Sequence, residues 1–206
     1  MADAERVKHL YNRAPRRYDA ATRQQTLDEL RRLLSQARGD VLDLGVGTGA
    51  TFAHYPEVLR SLTALDVSEG RLHEAHRKAL TLPFPVRLVQ RDFPRLPFAD
   101  TAFDTVVSSL ALCGIPEPAR LFAEIRRVLR PGGQLLALEH VRPPGALRAG
   151  LSDRLDPMFD RFVGCHPNRP TPDLLDEAGF QVKLQERRLG GVLVSLAATP
   201  SANGPT

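Results

Sequence analysis

The sequence predicts an α/β fold in which seven mostly parallel strands form a sheet with helices on both faces and an antiparallel C-terminal edge hairpin. Short apolar runs alternate with amphipathic helix-length segments from residue 27 to residue 141. The first apolar run leads into a glycine-rich turn, and two strand-like runs near the C-terminus are separated by the short segment 187–191. This alternation is typical of βαβ units with right-handed crossovers, and the short separation is typical of a hairpin.

Length and composition predict one domain. A chain of 206 residues is long enough for a single core. We place the domain at 1–199, with an N-terminal helical cap at 1–38, a lid or substrate segment at 143–172 and a loose tail at 200–206. The charged N-terminal residues predict a cytoplasmic protein.

Charge and hydropathy bear on the partners. No apolar run reaches the roughly 18 residues that a membrane span needs, so we expect no membrane-spanning segment. Weak association with a membrane surface stays open. The net charge is +4, but the basic residues are spread along the chain rather than clustered. The sequence therefore predicts no nucleic-acid partner.

The first half of the chain supplies three strands and two helices. Leucines at helical spacing predict a helix that begins at Leu27 and stops before Gly39, a residue type common at helix ends. A second helix is predicted from Glu69 to about Leu80. Strands are predicted at 41–45, 62–67 and 86–90.

The second half continues the pattern and then departs from it. Strands are predicted at 103–109 and 134–141, with a helix at 117–129 that ends before Pro131-Gly132-Gly133. Leu147, Leu151, Leu155 and Phe159 lie four residues apart and predict a helix, which Pro157 is expected to break or kink. A short helix at 173–178 and strands at 180–186 and 192–197 complete the chain.

The glycine-rich turn points to a ligand. Gly45, Gly47 and Gly49 follow the first strand and precede a predicted helix, a context in which bare backbone lets a ligand approach closely. Asp66 ends the second strand, where a carboxylate can accept hydrogen bonds from ribose hydroxyls. Asp43, just before the turn, would repel a pyrophosphate and attract an ammonium group. The combination favours S-adenosylmethionine.

Four segments in this order resemble the successive motifs of class I S-adenosylmethionine-dependent methyltransferases, which have a Rossmann-like fold. They are Val41 to Gly49, Leu65 to Ser68, Leu96 to Asp104 and Val128 to Gly133. The resemblance implies an enzyme that transfers a methyl group from S-adenosylmethionine to a small-molecule acceptor.

The resemblance also assigns the cofactor contacts. It implies that these residues bind the cofactor: Tyr18, Asp43, Gly45, Gly47, Gly49, Asp66, Val67, Asp92, Phe93, Ser109 and Leu110. The glycines and Asp43 would hold the methionine part, and Asp66 the ribose. Val67, Asp92 and Phe93 would surround the adenine. Ser109 and Leu110 would face the sulfonium and the acceptor, with Tyr18 lying over the cofactor.

Further strings resemble narrower groups. Leu138 to Val141, Asp156-Pro157 and Phe162 to His166, followed by Arg169 and Thr171, are similar to thiol and small-molecule methyltransferases of the methyltransferase-like group. The chain departs from that group because it has no N-terminal hydrophobic anchor. The surroundings of Tyr18 resemble quinone-type and phospholipid-type enzymes. The implied acceptors are a thiol, a quinol or phenol, or a phospholipid-like amine.

The expected chemistry is an in-line displacement, for which the protein mainly positions the acceptor and excludes water. If a base is used, His140 at the end of the fifth strand is the first candidate and His166 the second. An apolar cleft would favour the reaction, and these residues are its candidate lining: Leu110, Leu112, Met158, Phe159 and Phe162.

Cys113 and Cys165 are the only cysteines, so the sequence predicts reduced thiols and no metal site. Two alternatives to a methyltransferase stay open. Ala50 also satisfies a loose dinucleotide-binding pattern, which permits a nicotinamide-dependent oxidoreductase. A non-catalytic binding subunit of the same fold is the other.

Overall fold

The computed structural model describes residues 24–92 and 95–201. Seven strands form one sheet in the order β3-β2-β1-β4-β5-β7-β6. The strands are β1 Asp40–Leu44, β2 Ser61–Asp66, β3 Val86–Gln90, β4 Phe103–Ser109, β5 Leu129–His140, β6 Phe180–Arg188 and β7 Leu193–Pro200. The helices are α1 Gln24–Leu34, α2 Glu69–Ala79, α3 Pro118–Val128, α4 Ala146–Val163 and α5 Thr171–Glu177.

The strand directions confirm the predicted fold. Strands β1 to β5 pair in parallel, whereas β7 pairs antiparallel with both β5 and β6. In the sheet register Leu44 lies opposite Leu65 on one side and Ser108 on the other. The carboxyl ends of β1, β2 and β4 are therefore level with one another at one edge of the sheet.

Local sequence explains where the helices start. Ser68 caps α2, because its hydroxyl accepts a hydrogen bond from the Arg71 N–H at 3.3 Å. Pro118 opens α3 at a position where no backbone donor is needed. Helix α3 then buries one apolar stripe, which includes Leu121 and Ile125.

The core has two parts. One cluster, which includes Phe122 and Leu135, contains most of the buried residues of α3. The other, which includes Leu33 and Phe52, contains residues of α1 and α2. Burial of Leu42 in the first cluster and Val41 in the second shows that β1 is covered on both faces, as parallel strands usually are.

Several features differ from the sequence prediction. The segment after the glycine turn forms only the 3₁₀ turn Phe52–His54 in place of the predicted helix. Strand β5 begins at Leu129, because Leu129 pairs with Phe103 across an irregular stretch before regular pairing resumes. Helix α4 runs through Pro157 without a break. Pro157 lies on an exposed part of the helix, where the carbonyl it leaves unbonded can be reached by water. At the C-terminus Pro200 pairs with Phe180, so β7 extends beyond the predicted strand end at residue 197.

Helix α4 presents its apolar side outward within the described part of the chain. It buries Ala149 and Ser152, while Leu147 is 90% exposed and Phe162 is 68% exposed. Across residues 24–92 and 95–201, none of the helices combines the length and apolar content that a bilayer crossing requires.

Candidate functional site

The site lies at the carboxyl ends of the parallel strands. Strand β1 sits between β2 and β4, so the chain crosses to opposite sides of the sheet from this point. Open α/β sheets bind ligands in the crevice at such a switch point. The glycine-rich turn leaves the sheet there.

The glycine-rich turn needs its glycines. Gly45, Gly47 and Gly49 have φ angles of +74°, +57° and +71°, a region that side chains with a Cβ rarely adopt. A Cβ on Gly49 would lie 2.9 Å from the Phe52 ring, so a side chain at this position would also clash with Phe52. A Cβ on Gly47 would meet only the Arg71 guanidinium, at 3.9 Å, so its backbone faces open space.

Asp43 has a buried carboxyl group of which only one oxygen accepts hydrogen bonds from described residues. Its Oδ2 accepts hydrogen bonds from the Tyr55 hydroxyl at 2.9 Å and the Thr51 hydroxyl at 3.1 Å. Its Oδ1 is buried and has no hydrogen-bond partner among the described residues. Burial raises the pKa of Asp43 to about 6, although the two hydroxyl donors oppose the shift.

Asp66 ties the glycine turn to β2. Its Oδ2 accepts a hydrogen bond from the Gly47 N–H and its Oδ1 one from the Ser68 N–H, both at 2.8 Å. The residue is only 3% exposed, and burial raises its pKa while the backbone donors oppose the rise. The Val67 N–H donates to the same carboxylate, so three of its four acceptor positions are used and one is open. Asp66 thus lies against Gly47, and its charge is close enough to Asp43 to contribute to the raised pKa of that residue.

Four other predicted cofactor residues follow the ends of neighbouring strands. Val67 is partly buried after β2, and Asp92 is exposed after β3. Ser109 and Leu110 are partly buried at the end of β4. Leu110 has a φ of +57°, a strained conformation for a residue with a side chain and one that clusters at functional sites.

Two predicted contacts, Tyr18 and Phe93, lie outside the described residues. The residues predicted to line an apolar cleft do not all lie on one surface. Leu112 is buried in the core at 1% exposure, and Met158 is 49% exposed on the outer side of α4. Leu112 therefore does not line the cleft, because the turn after β4 directs its side chain into the hydrophobic core.

Glu139 organises that turn, and sequence reasoning missed it. Its Oε1 accepts hydrogen bonds from the Ser108 hydroxyl at 2.7 Å and from the N–H groups of Ala111 and Leu112 at 3.0 Å. Its Oε2 accepts one from the Cys113 N–H at 3.2 Å. Burial raises the pKa of Glu139 in spite of these donors. A charged residue inside an apolar strand was the available signal.

The two candidate bases have different surroundings. His140 Nδ1 lies 3.5 Å from Cys165 Sγ, so part of its ring faces a thiol. His166 Nδ1 lies 3.0 Å from Asp156 Oδ2, an arrangement that fixes the orientation of the imidazole.

The two cysteines are neighbours, which the sequence gives no reason to expect. Cys165 Sγ lies 2.9 Å from Cys113 Sγ, and both residues are buried. The interaction between the thiols lowers the pKa of Cys165 and raises that of Cys113. Together with His140 they form a group of three potential metal ligands.

Comparison with known proteins gives the family. Residues 42–137 match the family described as "Methyltransferase domain". The human protein named thiol S-methyltransferase TMT1B is 33% identical over 171 residues, which cover 77% of this chain and 70% of that protein. The rat protein of the same name is 34% identical over 151 residues, covering 70% of this chain.

The match spans 62% of the rat protein's length. Among solved structures, one titled "DhpI-SAH complex structure" superimposes with a TM-score of 0.72 at 22% identity, covering 97% of both chains. At this low identity, the similarity to the solved structure concerns the fold alone. The chain belongs to the class I S-adenosylmethionine-dependent methyltransferases.

Proposed function

We propose that this protein binds S-adenosylmethionine and methylates a small-molecule acceptor, with a thiol as the first candidate. The observation that carries the proposal is the unpartnered Oδ1 of Asp43, which is buried beside the glycine turn. A buried carboxylate oxygen without a partner is costly unless a ligand donates to it. The ammonium group of a bound amino acid is a suitable donor.

The same atom argues against a dinucleotide. A pyrophosphate placed at the turn would bring negative charge close to Asp43, and the interaction is strongest where water is excluded. The residues therefore fit a phosphate-free adenosine ligand better than a nicotinamide dinucleotide.

The glycine turn and Asp66 fit the rest of such a ligand. The bare backbone at Gly47 leaves room for close approach. The Gly47 N–H donates to the Asp66 carboxylate at 2.8 Å, and the acceptor position that the backbone donors leave open is suited to a ribose hydroxyl. Val67, Asp92, Ser109 and Leu110 stay as proposed contacts along the same edge.

When bound, S-adenosylmethionine supplies a methyl group on a sulfonium, which already contains a good leaving group. The protein's own task is to position the acceptor and exclude water. We propose that Leu110, which follows β4 and has a positive φ, faces the acceptor. For a proton that must be removed, we propose His166, because Asp156 holds its ring in a fixed orientation.

A thiol is the first candidate acceptor because the human and rat relatives are named thiol S-methyltransferases. Quinols, phenols and phospholipid-like amines are the other candidates. Incubation of the purified protein with methyl-labelled S-adenosylmethionine and one member of each class distinguishes them. Label on the thiol supports the proposal. No label on any acceptor would instead favour a non-catalytic binding subunit.

Cofactor choice is tested by thermal unfolding. S-adenosylhomocysteine at about 100 times its Kd should stabilise the fold by about 2.7 kcal/mol. That corresponds to a rise in Tm of roughly 5 to 10 °C for a domain of this size. NAD should leave the Tm unchanged. The reverse pattern would overturn the proposal in favour of an oxidoreductase.

A further inference from the structure

Three potential metal ligands meet next to the proposed acceptor position. Cys113 lies in the 3₁₀ turn Leu112–Gly114 after β4, His140 ends β5, and Cys165 follows α4. Their ligand atoms all lie within 4.8 Å of one another. Cys113 Sγ also lies 3.9 Å from the carbonyl oxygen of Leu110, the residue proposed to face the acceptor.

The ligand types indicate the kind of ion. Two thiolates and one imidazole suit Zn²⁺, and sites with three protein ligands and one open position are typical of catalytic zinc. Two thiolates on one tetrahedral ion are about 3.8 Å apart, given Zn–S bonds of about 2.3 Å. The sulfurs are 2.9 Å apart, so metal binding requires them to separate by somewhat under 1 Å.

A disulfide is the competing outcome for the same two cysteines. It would require the sulfurs to approach to about 2.05 Å. The third member of the cluster favours a metal. A disulfide bond involves the two sulfurs alone, whereas a metal ion would also be bound by the His140 imidazole, which lies 3.5 Å from Cys165 Sγ.

Surrounding contacts hold the ligands in place, as outer contacts do in metal sites. The His166 N–H donates to the Cys113 carbonyl at 3.0 Å, which joins the two cysteine-bearing segments. The Arg169 guanidinium donates to the Leu112 carbonyl at 2.8 Å. Its positive charge lies near both thiols, whereas the Glu139 carboxylate adds a negative charge near Cys113.

We propose that Cys113, Cys165 and His140 bind a thiophilic divalent cation such as Zn²⁺, and that the open position of this ion binds the sulfur of the acceptor thiol. Metal coordination favours the thiolate form of the acceptor, and its proton passes to His166, the proposed base, and from there to solvent. His140 is the only one of the three that is not fully buried, so we place the open position of the ion on its side of the cluster. The second part of the proposal rests on the proposed function.

Cobalt provides a direct test. Reduced, metal-free protein is titrated with Co²⁺ and followed by visible absorption, and Zn²⁺ is then added to compete. We expect one equivalent of Co²⁺ with the strong bands of a tetrahedral site that has thiolate ligands. Cys165→Ser and His140→Ala should each weaken binding by more than tenfold. His73→Ala is the matched control, since His73 is exposed on α2 and should leave binding unchanged.

The open position is tested in the same sample. Adding phenylmethanethiol to the Co²⁺ protein should change the visible spectrum in a saturable way. An unchanged spectrum would overturn the acceptor part and indicate a purely structural ion. Uptake below 0.1 equivalent, or full binding by Cys165→Ser, would overturn the site itself. A purified protein that lacks metal and has lost two protons by intact mass would show a disulfide instead.

Two further measurements keep the interpretation clear. If the serine variant does not fold, Cd²⁺ absorption of the wild-type protein counts the thiolates, and two per ion are expected while none would overturn the proposal. Binding of S-adenosylhomocysteine is measured in parallel. Cofactor binding without metal binding refutes only the metal site, whereas metal binding without cofactor binding refutes the proposed function.

Discussion

At the scale of single residues, Asp43 illustrates how burial tunes a binding group. The carboxyl group is 1% exposed, and that burial raises its pKa to about 6. Hydrogen bonds from Tyr55 and Thr51 limit the rise. A cationic ligand group stabilises the ionised form, so ligand binding and deprotonation of Asp43 should be linked.

This linkage predicts a pH-dependent affinity. Asp43 is mostly protonated below pH 6, so affinity for S-adenosylhomocysteine should rise with pH and level off above about pH 7. At pH 5 it should be weaker than the plateau by about tenfold. Isothermal titration calorimetry from pH 5 to 8 measures it. Asp43→Asn should bind weakly and without this pH dependence, whereas the exposed control Asp176→Asn should retain it.

Gly47 allows a test with a closely matched control. Gly47 and Gly132 both have positive φ, +57° and +75°, and at Gly132 a Cβ would meet no atom within 4 Å. Alanine at either position should cost about 1 to 2 kcal/mol of stability from backbone strain. Only Gly47→Ala should weaken S-adenosylhomocysteine binding, by more than tenfold. Equal affinities in the two variants would contradict the assignment of the turn.

At the scale of elements, Glu139 connects β5 to the turn that follows β4. It gathers four donors from that turn and from β4, and so fixes the backbone beside Leu110. We therefore expect Glu139 to act as a positioning residue for the proposed acceptor side of the site. The sequence shows Glu139 only as a charged residue in an apolar strand, and the donors lie 26 to 31 residues away.

Replacing this carboxylate should loosen the turn. Glu139→Gln keeps the size but offers only one acceptor oxygen, so at least one buried donor loses its partner, at a cost of about 1 to 3 kcal/mol. Urea unfolding measures the loss against Glu177→Gln, an exposed control on α5. If both variants unfold at the same urea concentration, Glu139 does not hold the turn.

At the scale of the whole molecule, the Asp43 site should reduce the stability of the unliganded protein. The folded-state pKa of about 6 exceeds the ordinary value of 3.8, so the folded state binds more protons between these pH values. Stability attributable to Asp43 therefore falls as pH rises from about 4 to 6, by roughly 3 kcal/mol at most.

The variant Asp43→Asn should escape this cost. Its unfolding free energy should exceed that of the wild-type protein by about 1 to 3 kcal/mol at pH 7.5, and the difference should shrink toward pH 4. Urea unfolding at several pH values, without ligand, gives both curves. If the difference in unfolding free energy between variant and wild type does not vary with pH, burial does not raise the pKa of Asp43.

Across the molecule, local sequence predicted most elements to within a few residues. Periodicity located β3 and β4 because their apolar runs are short and clearly bounded. It failed at the start of β5, where pairing with Phe103 extends the strand beyond what the glycines indicate. It also failed at Pro157, because an exposed helix face tolerates the missing hydrogen bond.

The sequence by itself determined the sheet, the family and the position of the glycine turn, because these depend on residue types at short spacing along the chain. The cytoplasmic location stays a prediction. Only the tertiary structure decided that Tyr55 holds Asp43, that Glu139 holds the turn after β4, and that Cys113, His140 and Cys165 meet. Such contacts join side chains from separate elements, and their geometry is fixed by packing rather than by any local pattern.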